Sequence, residues 1–424
     1  MSGQSNGENS SPKKEISYDP SHHLSLDEVK SLDEKYVLNT YARMPVAFIY
    51  GSGEFLYDTH GKEYIDFLSG IAVTSLGHAN ADLNEVLQNQ SELIWHSSNL
   101  FYNPQQVLLA RALIDITYPG KVFFCNSGTE ANEAAIKIMR AWGVQNSTAS
   151  KNKSIILSLK NSFHGRTFGA MSITGQDKIH NGFGDLMQDV TYIEVNNIKE
   201  LEKSFNENVC GIILEPVLGE GGVIPLTREF IQKARQLSNE YKAIMVMDEI
   251  QTGVGRTGSY FAYQNYGIVP DIVTVAKGLA GGFPIGAVIV GQKYCNVLQS
   301  GMHGSTFGGN HLATAVGYEV LRTIESSKIL ANVTEMSNYF FEKLNILKET
   351  YPDRIEKVQG MGLLIGVVLS NNRPARPLVQ KALEKQLIIG RAGENVIRLA
   401  PPLIVRKATI DKALQKIEEI IREI

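Results

Sequence analysis

The chain has 424 residues, 43% hydrophobic and 20% charged, with 41 Lys plus Arg against 44 Asp plus Glu and a formal charge of −3. That composition excludes a largely disordered or fibrous chain and supplies no basic field for gripping nucleic acid. The longest apolar runs, 285–290 and 363–369, are far too short to cross a bilayer, so neither nucleic acid nor membrane is expected as a partner.

Residues 1–20 are rich in Ser, Asn, Gly and Lys and nearly devoid of apolar side chains. Such a leader cannot offset its ordering entropy and is expected to be disordered. It lacks the apolar core of a signal peptide, has no Arg, and carries Glu8, Glu15 and Asp19. A cytoplasmic protein is the resulting expectation. His22 and His23 read as solvated leader residues.

Further on, short apolar runs alternate with helical patterns, the rhythm of a mostly parallel sheet. Strands are expected at 122–125, 155–159, 209–214, 243–247 and 272–276. Helices are expected at 130–142, with Ala131, Ala134, Ala135 and Ile138 on one face, and at 230–241. From about Asn310 the texture changes to longer helices at 312–324, 336–350, 377–386 and 407–423 around short strands. The expected organisation is a large α/β domain over 76–311 and a smaller α+β domain from 312–424, with 21–75 contributing to the latter. The three cysteines (Cys125, Cys210, Cys295) lie in or beside apolar runs and read as buried thiols. With no HExxH and no CxxC, no metal site is expected.

Asp248 follows the run 243–247, and Lys277 follows 272–276, so both sit where buried strands end. In open parallel sheets that edge is the ligand crevice. A partly desolvated lysine forms imines with carbonyl compounds. A carboxylate held against a pyridine nitrogen keeps it protonated, which makes pyridoxal 5'-phosphate (PLP) an effective electron sink. Ser127-Gly-Thr-Glu-Ala-Asn132 joins the strand ending at Cys125 to a helix, where free N–H groups and two hydroxyls would cradle an anion. The same motif also fits ordinary capping by Ser127 or Thr129.

Gly253-Val-Gly-Arg-Thr-Gly258 matches GxGxxG and follows a strand. Asp248 and Glu249 at that strand end would repel a pyrophosphate, and no long amphipathic helix follows. A turn-rich loop is the better expectation, with a nicotinamide-dependent oxidoreductase as the rival reading.

Val246-Met-Asp-Glu-Ile-Gln-Thr-Gly-Val-Gly-Arg-Thr-Gly258, Pro270-Asp-Ile272 and Ala276-Lys-Gly-Leu279 together resemble the signature of the class III (ω-amino) PLP-dependent aminotransferases. The likeness runs from about residue 35 to the end. It takes in Gly70-Ile-Ala-Val73, Leu76-Gly-His78, Ser98-Asn-Leu100, Asn126-Ser-Gly-Thr-Glu-Ala-Asn132 and Phe163-His-Gly-Arg-Thr167. Downstream it adds Glu215-Pro-Val217, Gly219-Glu-Gly-Gly222, His303-Gly-Ser-Thr-Phe-Gly-Gly-Asn310 and Arg398-Leu-Ala-Pro401. Within the class the set is most similar to the acetylornithine aminotransferases.

The resemblance implies a PLP-dependent transferase of fold type I, with a large mostly parallel-sheet domain and a smaller α+β domain. Lys277 would hold PLP and shuttle the proton, Asp248 would pair with the pyridine nitrogen, and Gln251 would bond the phenolic oxygen. Ser127, Gly128 and Thr129 would bind the phosphate, and Phe163 would stack on the ring. Thr306 would reach the phosphate of a neighbouring subunit's cofactor, implying a homodimer. Arg166 would hold the substrate's distal carboxylate, and Arg398 the α-carboxylate of glutamate, with Glu220 as its switchable partner. A static Glu220–Arg398 pair predicts the same residues. Asn99, Ser305 and Ile71 complete the expected substrate contacts.

The implied reaction is ping-pong transfer of the δ-amino group of N2-acetyl-L-ornithine to 2-oxoglutarate, giving N-acetyl-L-glutamate 5-semialdehyde and glutamate, in arginine biosynthesis. Ornithine, succinylornithine, succinyl-diaminopimelate and 4-aminobutyrate are alternative amines, and an aminomutase on the same fold is an alternative of another class. Ile71 stands where ornithine enzymes of the class typically carry Tyr. Leu218 and Thr74 depart from the Gln and Asn common at their positions, which bears on loop contacts and the acyl pocket.

Overall fold

Apart from Asp248 and Thr274, the runs 209–214, 244–248 and 272–275 are apolar, and every residue in them is buried. Strands covered on both faces read this way, whereas half-exposed strands alternate. They are the central members of a seven-stranded sheet. In the computed structural model, which describes residues 24–148 and 152–423, its strands are β1 (Gly120–Cys125), β2 (Ile155–Leu159), β3 (Val190–Ile193), β4 (Val209–Leu214), β5 (Ile244–Asp248), β6 (Ile272–Val275) and β7 (Gly286–Gly291). The order across the sheet is β1-β7-β6-β5-β4-β2-β3. Every neighbouring pair is parallel except those made by β7, which runs antiparallel to both β1 and β6. The carboxyl ends of β1, β6, β5, β4 and β2 therefore open onto the same edge. The mostly parallel sheet expected from sequence is present, with β3 and β7 as strands not anticipated. The leader, His22 and His23 lie outside the described residues.

Helix α1 (Gly128–Gln145) follows β1 directly. Ser127 caps it, its hydroxyl accepting the Glu130 N–H at 3.3 Å. The helix thus starts two residues earlier than its apolar face alone predicts. Ala131, Ala134, Ala135 and Ile138 are buried as expected. Helix α2 (Arg228–Glu240) is capped by Thr227 and buries Phe230, Ile231, Ala234 and Leu237 at the spacing of one helix face. Truncating Phe230 would cost about 3–5 kcal/mol in transfer and cavity terms.

Downstream lie α3 (His311–Ser326), α4 (Ile329–Thr350), α5 (Arg376–Glu384) and α6 (Lys407–Arg422). Helix α4 begins seven residues before the expected 336, immediately after Lys328, which is in the left-handed region at φ 53°. An antiparallel sheet of β8 (Ile355–Met361), β9 (Leu364–Leu369), β10 (Gly390–Ala392) and β11 (Val396–Leu399) is ordered β8-β9-β11-β10. Arg398 on β11 pairs with Gly366 on one side and Gly390 on the other. A Cβ built on Gly390 would lie 2.9 Å from Leu68 Cδ1 and in ordinary contact, 3.4 Å, with the Arg398 Nε, so Leu68 is what a larger residue there would crowd.

The chain divides into two compact units, the described part of Met1–Tyr50 with Tyr57–Lys62, and Gly51–Leu56 with Glu63–Ile424. Both sheets above belong to the second. In the first, helix Leu26–Tyr36 opens with a reciprocal capping box between Ser25 and Glu28. Among the described residues, no helix is long and apolar enough to cross a membrane.

Candidate active site

A cavity of about 380 Å³ opens at the carboxyl edge of the seven-stranded sheet. Its lining includes Ser127, Gly128, Thr129, Phe163, Arg166, Asp248, Gln251 and Lys277, eight of the residues singled out from sequence. They reach it from four different strands: β1 leads to Ser127, β2 to Phe163, β5 ends in Asp248 and β6 leads to Lys277.

Asp248 is 3% exposed and fully engaged. Its Oδ2 accepts from Asn132 Nδ2 at 2.8 Å and lies 2.7 Å from His164 Nδ1. Its Oδ1 accepts the Ile250 N–H at 3.1 Å. Asn132 also donates to the His164 carbonyl at 2.7 Å, locking helix α1 to the loop after β2. A carboxylate so held keeps its position whatever binds in front of it. His164 and Asn132 were not assigned roles from sequence. Their place inside the quoted motifs, beside Phe163 and at the end of 126–132, was the available signal.

Lys277 lies at φ 44°, a left-handed backbone that costs a non-glycine residue roughly 1–2 kcal/mol. The preceding Ala276 is also outside the regular regions, at φ −159° and ψ −139°. Burial pushes the Lys277 amine below its ordinary pKa, opposed by Glu220. The result favours the uncharged, nucleophilic form.

The N-terminus of α1 presents Gly128 and Thr129 to the cavity. A Cβ on Gly128 would lie 2.8 Å from Ile250 Cδ1, so only glycine lets the helix end come this close to the strand-end loop. Gly165 is as constrained: its φ is 140°, and a Cβ there would lie 2.2 Å from Thr129 Oγ1. That hydroxyl accepts the Arg166 N–H at 3.3 Å and sits 3.0 Å from Thr167 Oγ1. Anion cradle and Arg166 loop are thereby one hydrogen-bonded piece. Arg166 projects its guanidinium over the Phe163 ring, 5.6 Å from the centroid.

Arg398 is 4% exposed and pairs with Glu220. Its Nη1 also donates to the Gly219 carbonyl at 3.1 Å and lies 3.4 Å from Gln251 Oε1. Burial, the largest single influence, raises the Glu220 carboxyl, but Arg398 together with Lys277 and Gln251 outweighs it and holds Glu220 below the ordinary range. The Arg398 Nε is buried without a partner, a donor left for some further group.

Six expected residues do not line this cavity: Glu220 and Arg398, which meet it only through Gln251, and Asn99, Ser305, Thr306 and Ile71. Asn99 donates to the carbonyls of Ser305 and Gly308 at 3.0 and 2.9 Å. Ser305 Oγ accepts from Asn126 Nδ2 at 3.1 Å, which ties that loop to the residue before Ser127. Thr306 is exposed on the same loop. Ile71 is 43% exposed on a left-handed turn in which Ser69, Gly70, Ile71 and Ala72 all have positive φ. Val73, two residues on, does line the cavity. The GxGxxG match at 253–258 is a run of turns followed by a short 3-10 helix, Ala262–Tyr266, rather than a long amphipathic helix, as expected.

A primary amine, a fixed carboxylate, an aromatic face and a helix N-terminus at the carboxyl edge of a mostly parallel sheet are the groups that suit a phosphorylated pyridine aldehyde. That combination defines a PLP-dependent transferase of fold type I. Residues 36–421 match the class III aminotransferase family model, and the chain belongs to that family, with PLP as its cofactor. The acetylornithine aminotransferase of Aquifex aeolicus is 45% identical over 387 residues, covering 91% of this chain and 100% of that one. The succinylornithine transaminase of Photorhabdus laumondii is 43% identical over 394 residues, covering 92% of this chain and 97% of that one. The ornithine aminotransferase of Toxoplasma gondii, solved with partial occupancy of PLP at its active site, superposes with a TM-score of 0.89 at 29% identity, covering 94% of each chain.

Proposed function

We propose that the chain transfers the δ-amino group of N2-acetyl-L-ornithine to 2-oxoglutarate, giving N-acetyl-L-glutamate 5-semialdehyde and L-glutamate, a step of arginine biosynthesis. The observation that carries this reading is the Arg398–Glu220 pair set against Gln251, which lines the same cavity as Arg166. An ω-amine keeps its carboxylate at the far end and presents only CH2 beside the reacting carbon. Glutamate presents a carboxylate at both ends.

Arg166 holds the distal carboxylate in both half-reactions by a bidentate bond. In the first, Glu220 covers the Arg398 charge, so the CH2 meets no bare cation. In the second, Glu220 swings aside and Arg398 takes the α-carboxylate. Leaving the buried Arg398 alone would cost about 3–5 kcal/mol, which is the driving force for re-pairing.

When bound, PLP would supply the electron sink for the amino-group exchange. Lys277 would hold it and move the proton at the reacting carbon. Asp248 would keep the pyridine nitrogen protonated, steadied by Asn132 and His164. Gln251 would bond the phenolic oxygen, Phe163 would cover one ring face, and Ser127, Gly128 and Thr129 would bind the phosphate through the N-terminus of α1.

The acyl preference is supported by the Aquifex and Photorhabdus relatives, whose names carry acetyl- and succinylornithine. Ile71 offers no hydroxyl to ornithine's free α-amine. We also propose a cytoplasmic homodimer. Leu100, Phe101 and Tyr102 are 87%, 68% and 100% exposed next to Asn99, an apolar strip suited to a second copy. Thr306 on the adjoining loop then reaches the partner's cofactor phosphate.

The test is glutamate formation from 2-oxoglutarate with N2-acetylornithine, succinylornithine, ornithine and 4-aminobutyrate in turn. Acetylornithine should give the highest kcat/KM. A preference for succinylornithine would keep the site reading and change the acyl group. Turnover without any added oxoacid would replace transamination by an aminomutase.

A further inference from the structure

Glu215 follows β4, lines the cavity and is 5% exposed. No role in the reaction proposed above uses it. Its two oxygens hold different loops. Oε2 accepts the Phe163 N–H at 2.8 Å, and Oε1 accepts the Gly219 N–H at 3.3 Å. Phe163 supports the Arg166 guanidinium on its ring, and the Gly219 carbonyl accepts from Arg398. One buried carboxylate therefore stands between the backbone segments that place the two arginines.

The Gly219 side of this tie has little slack. A Cβ on Gly219 would lie 2.4 Å from Gln251 Oε1, so the loop is pressed against the residue next to Arg398. Burial also works against the carboxylate, pushing Glu215 up to about 7, with His164 and the two amides pulling the other way and Asp248 adding to the rise. A group kept at such a disadvantage, when an apolar residue would pack there more cheaply, points to a use for its two acceptors.

We infer that Glu215 is a positioning residue that sets the separation of Arg166 and Arg398 by anchoring the Phe163 and Gly219 amides, and so selects a five-carbon dicarboxylate as the amino-group acceptor. This rests on the two-arginine reading above. Glu215 touches neither carboxylate of the acceptor; it acts through the backbone of the loops that do. Replacing it by Gln leaves one acceptor and turns an NH2 group toward the other amide, so one loop is released.

Holoenzyme and the Glu215→Gln and Glu215→Asp variants are titrated by calorimetry with glutarate, adipate and pentanoate, none of which can exchange an amino group. The original protein should bind glutarate at least about 10-fold more tightly than either of the others, a difference of about 1.4 kcal/mol. In E215Q the glutarate-to-adipate ratio should fall to within about 2-fold, with pentanoate affinity and the visible cofactor spectrum unchanged, since one arginine suffices for a monocarboxylate. Glu215→Asp keeps the charge but shortens the reach, and its ratio should fall between the two. It decides the matter if the Gln variant fails to fold. A folded variant that keeps the glutarate preference would overturn the anchor and leave the two-arginine reading standing. An original protein with no preference for glutarate over pentanoate would overturn both.

Discussion

The ground around Asp248 and the strip from Asn99 to Tyr102 differ in what one chain provides. At Asp248, itself 3% exposed, both carboxylate oxygens are engaged, by Asn132, His164 and the Ile250 amide. At residues 100–102 the chain leaves three large apolar side chains at 87%, 68% and 100% exposure, near a loop whose exposed Thr306 does not line the cavity. The first region is finished chemistry, rigid before anything binds. The second is surface that gains meaning only when covered. Electrostatic work needs preorganised, water-excluded groups, and the sheet edge supplies them within one chain.

The hardest blow to the first region is Lys277→Ala, expected to cut turnover by about 10⁵-fold or more, as loss of a residue that bonds the reacting group does. Because Lys277 sits at φ 44°, Lys277→Gly should meanwhile stabilise the apoprotein by roughly 1–2 kcal/mol in urea unfolding. Equal stability would mean the strain is not there.

A step down in size, Glu220→Ala should slow the acetylornithine half-reaction by about 10²- to 10³-fold, the several kcal/mol of an uncovered buried Arg398. The glutamate half-reaction should change by less than about 10-fold. Rapid-mixing absorbance on each half-reaction checks this, and equal losses in both would make the pair static.

Next comes pH. Burial pushes Glu249 from the ordinary 4.5 up to about 7, although Thr252 and the Ala262 and Tyr263 amides pull it down. Since the folded-state value is the higher one, the stability this group contributes is full below about 4.5 and is lost as pH rises through about 7. The loss is up to about 3 kcal/mol. Unfolding free energies at pH 5.5 and 8.5 should fall with pH, and Glu249→Gln should flatten the slope.

The smallest effect belongs to the second region. Phe101→Ser with Tyr102→Ser should shift the protein toward one-chain mass in light scattering and weaken PLP binding by roughly 10-fold, about the worth of a lost phosphate contact. A variant that becomes monomeric with unchanged PLP affinity would remove Thr306 from the cofactor site.

Sequence displayed the first region well for a physical reason. Buried parallel strands are uninterrupted apolar runs, so a charged residue directly after one, such as Asp248 or Lys277, marks the crevice edge without any tertiary information. The pairings that hold the site were hidden because they are long-range: His164 meets Asp248 across 84 positions, and Glu215 meets Phe163 across 52. Helix α4 was cut short for another reason. Its first turns begin only because Lys328 breaks the chain into the left-handed region, and Lys carries no such signal. Arg256, fully buried and donating to the carbonyls of Leu363 and Pro401 at 3.1 and 2.5 Å, lay inside the GxGxxG match and looked like loop.

The central claim, that this cavity passes the ω-amino group of an acylated ornithine through PLP, is tested most directly by the visible spectrum of the holoenzyme during titration with N2-acetylornithine, with ornithine as control. The cofactor's yellow band should fall with acetylornithine, fall far less readily with ornithine, and return on adding 2-oxoglutarate. A band that ignores acetylornithine, or answers ornithine equally, would contradict the account.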